Sequence, residues 1–233
     1  MNKLRHSTTE DFLRTIQVES TKTYSAIPHG KIIDTVKESL YKQGITLLQE
    51  DYMECNDGKI AQGNYTLGIK DNEMALKIAW QNSTNKEVSF KYTLGNFIFV
   101  CTNGCISGDM QAFKKIHKGN ANIESFEFIQ RGLGSLSDYF ESMVSDREKM
   151  KKVPMDLSVQ AKLVGSLLIE EKIINLTQVG IISREIENPS FDYGADNSLW
   201  QFYQHCTHSF KEVSPRSYIP KQLELSKYLH VLS

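Results

Sequence analysis

The sequence predicts an α+β fold, in which an antiparallel four-stranded β-meander is preceded by a helix and packed by a mostly helical C-terminal half. Three observations support this class. Apolar residues recur at helical spacing before residue 44, alternate with polar residues over 45–94, and return to helical spacing after residue 109. One helix, then strands, then further helices is an order typical of α+β proteins, whose helices and strands are segregated along the chain.

The N-terminal part of the chain contains one clear helix. Residues 30–43 have apolar side chains at helical spacing, and Gly44 closes the segment. The polar residues before this helix show only weak helical spacing, and we expect them to form a loosely packed arm. We therefore divide the chain into an arm (1–26), an α+β core with the meander and a long helix (27–153), and a helical C-terminal region (154–233).

The predicted meander follows from alternating apolar and polar residues. Such alternation indicates strands with one buried and one polar face, and the polar face is then either solvated or a binding surface. The last strand continues as an apolar run to Cys101, which we attribute to a bulge at Gly95. The predicted strands are 45–55, 59–69, 74–80 and 88–101.

The C-terminal half has mainly helical periodicity. The longest pattern, 122–150, has an apolar heptad seam that is interrupted by glycines at RGLGS (131–135). Glycine weakens a helix by about 1 kcal/mol per residue, so we expect a kink or a close helix contact there. The other predicted helices are 109–118, 156–170, 175–187, 196–211 and 219–231.

Composition narrows the classes of function. Hydrophobic residues make up 40% of the 233 residues, which is enough for a sizeable core. The formal net charge is −1, whereas proteins that bind duplex DNA through a broad phosphate footprint usually carry a positive excess. Any nucleic-acid binding must therefore use a local basic patch.

The chain also lacks the apolar segments that predict a membrane or secreted protein. No run of about 18 apolar residues indicates a transmembrane helix, and the first residues show no apolar stretch typical of a secretory signal. Four cysteines in such a chain predict reduced thiols. We expect a cytoplasmic protein with no membrane partner.

The stretch FIFVCTNGCISG (97–108) contains Cys101 and Cys105, whose spacing raises the question of a metal or redox site. Zinc sites pair such cysteines with a second pair nearby, and here the next candidate ligands, at 205–208, follow about 100 residues later. No nucleophile motif or phosphate-binding loop is present. The spacing favours core or turn cysteines, and we predict no catalytic residue, metal or cofactor. The predicted structural turn residues are Asn103, Gly104 and Gly108.

Basic residues cluster on the predicted 109–118 helix, and others project from the polar face of the meander near aromatic side chains. A sheet with lysines and aromatic rings beside a basic helix is one way to bind single-stranded nucleic acid. The alternative is that the lysines keep strand faces soluble and block pairing at sheet edges. The predicted nucleic-acid-binding residues are Lys114, Lys115, His117, Lys118, Lys91, Lys77, Tyr92, Trp80 and Arg131.

Four segments carry a family resemblance: YSAIPHGKIIDTVKESL (24–40), WQNSTNKEVSFKYTLG (80–95), FVCTNGCISGDMQAFKKIHKGN (99–120) and NSLWQFYQHCTHSF (197–210). In this order they resemble the phage/plasmid-like proteins, a family with a domain of unknown function. The third segment is the most specific, although Cys105 departs from the family pattern. The resemblance implies an origin in a phage, prophage or plasmid and a location in the bacterial host cytoplasm. It implies no catalytic residues.

Three hypotheses about function stay open. The first is a non-enzymatic protein of DNA metabolism that binds single-stranded DNA in recombination or replication. Its helix–meander–helix order also looks like single-strand annealing proteins of the eukaryotic recombination-mediator type. The second is a host-interaction or anti-defence protein, with self-association through the 122–150 helix. The third is an enzyme that uses a cysteine or a bound metal.

Overall fold

The computed structural model describes residues 6–22, 24–98, 104–105, 113–132, 136–213 and 215–233. Its eight α-helices are α1 (Glu10–Thr15), α2 (His29–Lys42), α3 (Ala121–Gly132), α4 (Leu136–Lys152), α5 (Leu157–Ile169), α6 (Leu176–Glu187), α7 (Leu199–Ser209) and α8 (Pro215–His230). Its strands are β1 (His6–Thr8), β2 (Leu47–Cys55), β3 (Ile60–Lys70), β4 (Met74–Ser83), β5 (Phe90–Ile98), β6 (Gly104–Cys105) and β7 (Phe113–Lys115).

The α+β class is confirmed, but the predicted number of strands is wrong. The four long strands β2–β5 form the predicted antiparallel meander, and β1 adds a fifth strand by pairing with β2. The short segments β6 and β7 both pair with β5, at its two ends. Two- and three-residue strands were not predictable from alternation, because such short segments contain too few residues to show a period.

Helices in the C-terminal half begin where the sequence provides a capping side chain. Asp156 accepts a hydrogen bond from the amide of Val159 at the start of α5, and Ser198 caps α7 in the same way. Asn175 and Gln178 form a reciprocal capping box at the start of α6. These side chains satisfy amides that have no partner inside the helix, which explains why the predicted starts agree with the structure.

The predicted bulge at Gly95 is wrong. The register between β4 and β5 runs without a shift from the Met74–Ile98 pair to the Gln81–Lys91 pair. The apolar run at the end of β5 is explained instead by burial, since the sheet is covered on both faces. Irregularities occur instead in β2 after Leu47 and in β3 after Thr66.

The first face of the sheet carries the large apolar side chains of Tyr65, Ile78 and Trp80, which are all fully buried. Helix α2 packs on this face, since the ring of its first residue, His29, stacks on Trp80 with 6.0 Å between centroids. Helix α3 lies beside α2, and its Phe128 contacts the ring of Tyr92 edge-on. This face matches the apolar half of the predicted alternation.

The second face carries the polar half of the alternation, and it is buried as well. Gln62, Asn64, Lys77 and Gln81 each expose 7% or less of their surface. Helix α8 contacts β2, β3 and β4. Because α2 and α3 occupy the first face, we place α8 on the second. The sheet therefore offers no open polar face to a ligand over these positions.

The predicted helix over 109–118 is wrong where the structure describes it. Phe113–Lys115 is strand β7, which pairs with Phe90, Lys91 and Tyr92 of β5. Residues 106–112 lie outside the described residues. Lysine-rich stretches favour helices only weakly, and pairing with the exposed edge of β5 outweighs that preference.

The described parts of the long pattern over 122–150 form α3 and α4, and the predicted kink at 133–135 lies outside the described residues. Of the described heptad residues, Phe126 is half-buried, and Ile129, Leu136, Phe140 and Met143 are buried within the chain's own core. The described part of the seam is therefore largely covered by the chain itself. Heptad spacing of apolar residues is equally produced by a helix that packs on a sheet, and the structure selects that reading.

The N-terminal arm is better packed than predicted in its described part. The side chain of Leu13 is fully buried, and Glu10 bridges Arg14 and Lys37 in a surface ion-pair network that reaches Glu50 of β2. Helix α1 thus rests on α2 instead of projecting from the core.

Replacement of glycine by alanine should have opposite effects on stability at Gly63 in β3 and at Gly180 in α6. A Cβ at Gly63 would lie 2.4 Å from the indole of Trp80, whereas a Cβ at Gly180 meets nothing within 4 Å. We expect Gly63→Ala to lower the free energy of unfolding by about 1–3 kcal/mol through overpacking. Gly180→Ala should raise it by about 0.5–1 kcal/mol, since alanine restricts the unfolded chain. Urea denaturation of both variants checks this, and a loss at Gly180 with no loss at Gly63 would contradict it.

Candidate functional site

The two aromatic side chains predicted to stack on bases lie in the core. Trp80 and Tyr92 are both fully buried. The indole of Trp80 lies between Gly63 and His29, and its Nε1 donates a hydrogen bond to the Tyr65 hydroxyl at 3.2 Å. Both rings belong to the face that α2 and α3 cover, so in this structure neither is presented to a ligand.

The two lysines predicted to project from the polar face are also enclosed. Lys77 exposes 7% of its surface, and Lys91 is half-buried with its Nζ donating to Oε1 of Gln81 at 2.6 Å. A half-buried, hydrogen-bonded ammonium group is less available to a phosphate than a solvated one. Of these two residues only Lys91 retains access to solvent, at the β7 side of the sheet.

Strand β7 brings predicted basic residues next to each other. Its register places Lys114 opposite Lys91 and Lys115 opposite Phe90, and Lys118 follows three residues later in an exposed position. We call Lys91, Lys114, Lys115 and Lys118 the basic edge. Lys115 forms an ion pair with Glu124 of α3, so one charge of the basic edge is partly neutralised in the free protein.

The other predicted residues contribute less. His117 is buried beside the ring of Tyr24, and burial lowers the pKa of its imidazole, so it is neutral at physiological pH. Arg131 is exposed on α3 and pairs with Glu127 at 3.0 Å. Of the predicted turn residues, Gly104 begins β6 and pairs with Phe97, whereas Asn103 and Gly108 lie outside the described residues.

Three segments of the family resemblance meet in a buried polar junction, which we define as Tyr24, His29, Asn82, Ser83 and His117. The Asn82 Nδ2 donates to the carbonyl of Ile27 at 2.7 Å and to Nδ1 of His29 at 3.1 Å. Because Nδ1 accepts, the proton of the neutral ring sits on Nε2, which donates to the carbonyl of Gly58 at 3.0 Å.

The junction connects the sheet to the segment that carries the basic edge. The hydroxyl of Tyr24 donates to the carbonyl of Thr84 at 3.2 Å, and the amide of Ser25 donates to the carbonyl of His117 at 3.1 Å. These bonds fix the backbone one residue before Lys118. The junction could not be identified from the sequence, because no local pattern indicates that Pro28-His29 and Asn82-Ser83 meet.

A second polar group, which we call the acid–base cluster, comprises Glu185, Ser190, His205 and His208. The Ser190 hydroxyl donates to Oε1 of Glu185 at 2.5 Å. Nδ1 of His205 and Nε2 of His208 lie 3.8 and 3.9 Å from the same carboxylate. The cluster borders a cleft of about 530 Å³ that Arg184 and Lys211 also line.

The histidines of the acid–base cluster are uncharged at neutral pH, and the thiol beside them is not activated. Burial lowers the pKa of His205 to about 4 and also lowers that of His208, so both rings are neutral beside the carboxylate at neutral pH. Burial raises the pKa of the neighbouring Cys206 thiol, which keeps it protonated. The sequence signal for this cluster was the His205–His208 spacing on one helix, and the contribution of Glu185 was missed.

Neither a metal cluster nor a membrane span is found in the part of the chain that the structure describes. Within those residues no group of three or more His, Cys, Asp or Glu side chains could hold a metal ion. No helix built from them is long and apolar enough to cross a membrane. Cys101 lies outside the described residues.

Comparison with known proteins gives one match. The model of a family described as "Domain of unknown function (DUF932)" matches residues 19–225, which is most of the chain. No curated protein and no solved structure matches the chain. The matched range includes the polar junction, the basic edge and the acid–base cluster.

The buried imidazole of the polar junction predicts a pH-dependent stability. Burial lowers the pKa of His29 to about 4. Between about pH 4 and about pH 6.5, the unfolded chain therefore binds a proton on His29 that the native state does not bind. The stabilisation from the neutral ring is complete above this pH range and is lost as the pH falls through it.

We expect this residue to contribute a loss of about 2 kcal/mol between about pH 7 and about pH 5. His29→Gln replaces the ring by an amide, which offers one acceptor and one donor but does not titrate. It should therefore remove the contribution of His29 to the pH dependence, even where it lowers overall stability. Urea denaturation at both pH values provides the measurement. His205→Gln repeats the test at a second site, since burial lowers the pKa of that imidazole to about 4 as well, and it should remove a similar part of the pH dependence. An unchanged pH dependence in His29→Gln would show that the imidazole is not buried as described.

Proposed function

We propose that this chain, which belongs to the DUF932 family, is a non-enzymatic protein of DNA metabolism encoded by a phage, prophage or plasmid. It binds single-stranded nucleic acid as an accessory factor in recombination or replication. The observation that carries the proposal is the pairing of β7 with β5, which collects Lys91, Lys114, Lys115 and Lys118 at one edge of the sheet.

The basic edge supports electrostatic binding of a backbone rather than recognition of bases. Its lysines provide three or four point charges for phosphates, and the described aromatic residues of the sheet are buried. Single strands release about 0.7 counterion per neutralised phosphate, so the affinity of such a site falls steeply with salt. Weak, salt-sensitive binding without base specificity is the expected behaviour of a protein with a net charge of −1.

Three basic residues of α4 are less available for this role. On α4, Arg147 pairs with Asp71, Lys149 pairs with Asp146, and Lys151 pairs with Glu73. The pairs with Asp71 and Glu73 anchor α4 to the turn between β3 and β4, and the pair with Asp146 lies within α4. In the basic edge, Lys115 pairs with Glu124, and a phosphate must displace this pair. Glu124 therefore tunes the affinity of the site.

The test is the salt dependence of binding to a fluorescent oligo(dT) strand, measured by anisotropy. Replacing Lys114 and Lys118 by Gln removes two phosphate contacts, so the slope of log K against log salt should become shallower by about 1.4. The control replaces Lys42 and Lys152 by Gln, which changes the net charge equally on exposed residues elsewhere. Its slope should equal that of the native chain.

Two outcomes contradict the proposal. One is the absence of binding by the native chain at low salt, and the other is an equal change of slope in the two double variants. The latter result would mean that net charge, rather than the basic edge, determines binding. Glu124→Gln extends the test, since it should strengthen binding by releasing Lys115.

A further inference from the structure

Lys86 occupies the turn between β4 and β5 in a backbone conformation that lysine seldom adopts. Its φ is 68°, in the left-handed region, and its side chain is exposed. Glycine and asparagine tolerate this region better than residues with long side chains. Asparagine, the residue type directly before it at position 85, would therefore serve the turn at least as well. The side chain of Lys86, rather than the shape of the turn, needs an explanation.

The ammonium group of Lys86 lies over an aromatic ring. Its Nζ is 4.9 Å from the ring centroid of Tyr24. Such a contact restricts the position of a cation without neutralising its charge. The hydroxyl of Tyr24 donates to the carbonyls of Ser83 and Thr84 at 3.4 and 3.2 Å, so the ring is itself fixed to the turn. Lys86 thus presents its charge from a defined position.

The ring of Tyr24 connects Lys86 to the basic edge. Tyr24 also packs against the imidazole of His117, with 5.4 Å between ring centroids. The Lys86 ammonium is therefore no farther from the imidazole than the sum of these two distances. Lys118 follows His117 directly and is exposed, and its amide donates to the carbonyl of Ile116 at 2.7 Å in a tight turn. Two exposed lysines from distant parts of the chain thus lie beside one buried pair of rings.

The register of β7 gives a second reason to place these lysines on one surface. Lys115 lies opposite Phe90, the first residue of β5. Because the two strands are antiparallel, the residues that follow Lys115 lead back toward the segment before Phe90. That segment is the turn that contains Lys86. The basic edge therefore continues in the direction of Lys86 along the same side of the sheet.

Two carboxylates belong to this surface. Glu87, next to Lys86, accepts hydrogen bonds at Oε1 from the side-chain amides of Asn56 and Asn85, at 3.0 and 2.6 Å. Glu124 pairs with Lys115. With both carboxylates included, the basic edge together with Lys86 still carries a positive excess. The charge of this surface therefore suits an anionic backbone.

We infer that Lys86 is a further phosphate-binding residue, and that the site for a single strand extends from the basic edge past Tyr24 and His117 to the β4–β5 turn. This inference rests on the proposed function, since it adds a contact to the same ligand. An ammonium group has three donors and can bond a phosphate oxygen while it stays over the ring. Tyr24 is buried and acts as a positioning residue for Lys86.

The salt dependence of oligo(dT) binding by the full chain, measured by anisotropy, tests the role of Lys86. Lys86→Asn removes the charge and suits the left-handed backbone, so the turn keeps its shape. The slope of log K against log salt should become shallower by about 0.7, and by about 2.1 when Lys114 and Lys118 are also replaced by Gln. Lys86→Arg should keep the native slope, since a guanidinium group also binds over a ring and contacts phosphate.

The matched control is Lys42→Asn, which removes the same charge from an exposed residue at the end of α2. Its slope should equal that of the native chain. An equal loss of slope in Lys42→Asn and Lys86→Asn would show that net charge alone is measured, and it overturns the inference.

The outcomes also separate this inference from the proposed function. If the native chain does not bind oligo(dT) at low salt, both fail. If the replacement of Lys114 and Lys118 makes the slope shallower but Lys86→Asn keeps the native slope, the proposed function stands and the role of Lys86 is overturned. A lower free energy of unfolding in Lys86→Asn together with the native slope would assign Lys86 to the contact with Tyr24 alone.

Discussion

The close approach of the Trp80 indole to Gly63 is the contact on which the rest of the structure depends. The ring occupies the space that any side chain at position 63 would need. In that position it donates to Tyr65 and stacks on His29, the first residue of α2. One ring therefore joins β3, β4 and α2, and the entry angle of α2 follows from it. A larger residue at position 63 would displace all three elements together.

The polar junction extends this constraint to the edge of the sheet. Asn82 holds both the carbonyl of Ile27 and the ring of His29, so the segment before α2 is bound to the end of β4. The same segment binds the backbone at His117, next to the basic edge. The buried polar groups thus act through hydrogen bonds that are expensive to break in a low-dielectric interior. They position the lysines without contacting a ligand themselves.

Local patterns decided most of the elements. Alternation of apolar and polar residues located β2–β5, since successive side chains of a strand point to opposite faces. Capping residues such as Ser198 and Asp156 located helix starts. The pattern could not show how the faces are covered. A polar strand face looks the same in sequence whether water or a helix lies on it, and so Lys77 was predicted to project from an open face although it is buried.

The candidate site depended mainly on tertiary structure. The residue types of the basic edge were identified from the sequence. The segment 113–115 was predicted to be helical, and only its pairing with β5 makes it a strand. Trp80 and Tyr92 were misplaced because aromatic residues suit both a core and a stacking surface. What the sequence determined by itself was each segment's local conformation and its polar or apolar side, which follow from nearest neighbours. Which sides meet, and which remain exposed, was decided by long-range contacts such as His29–Asn82, and no local period encodes them.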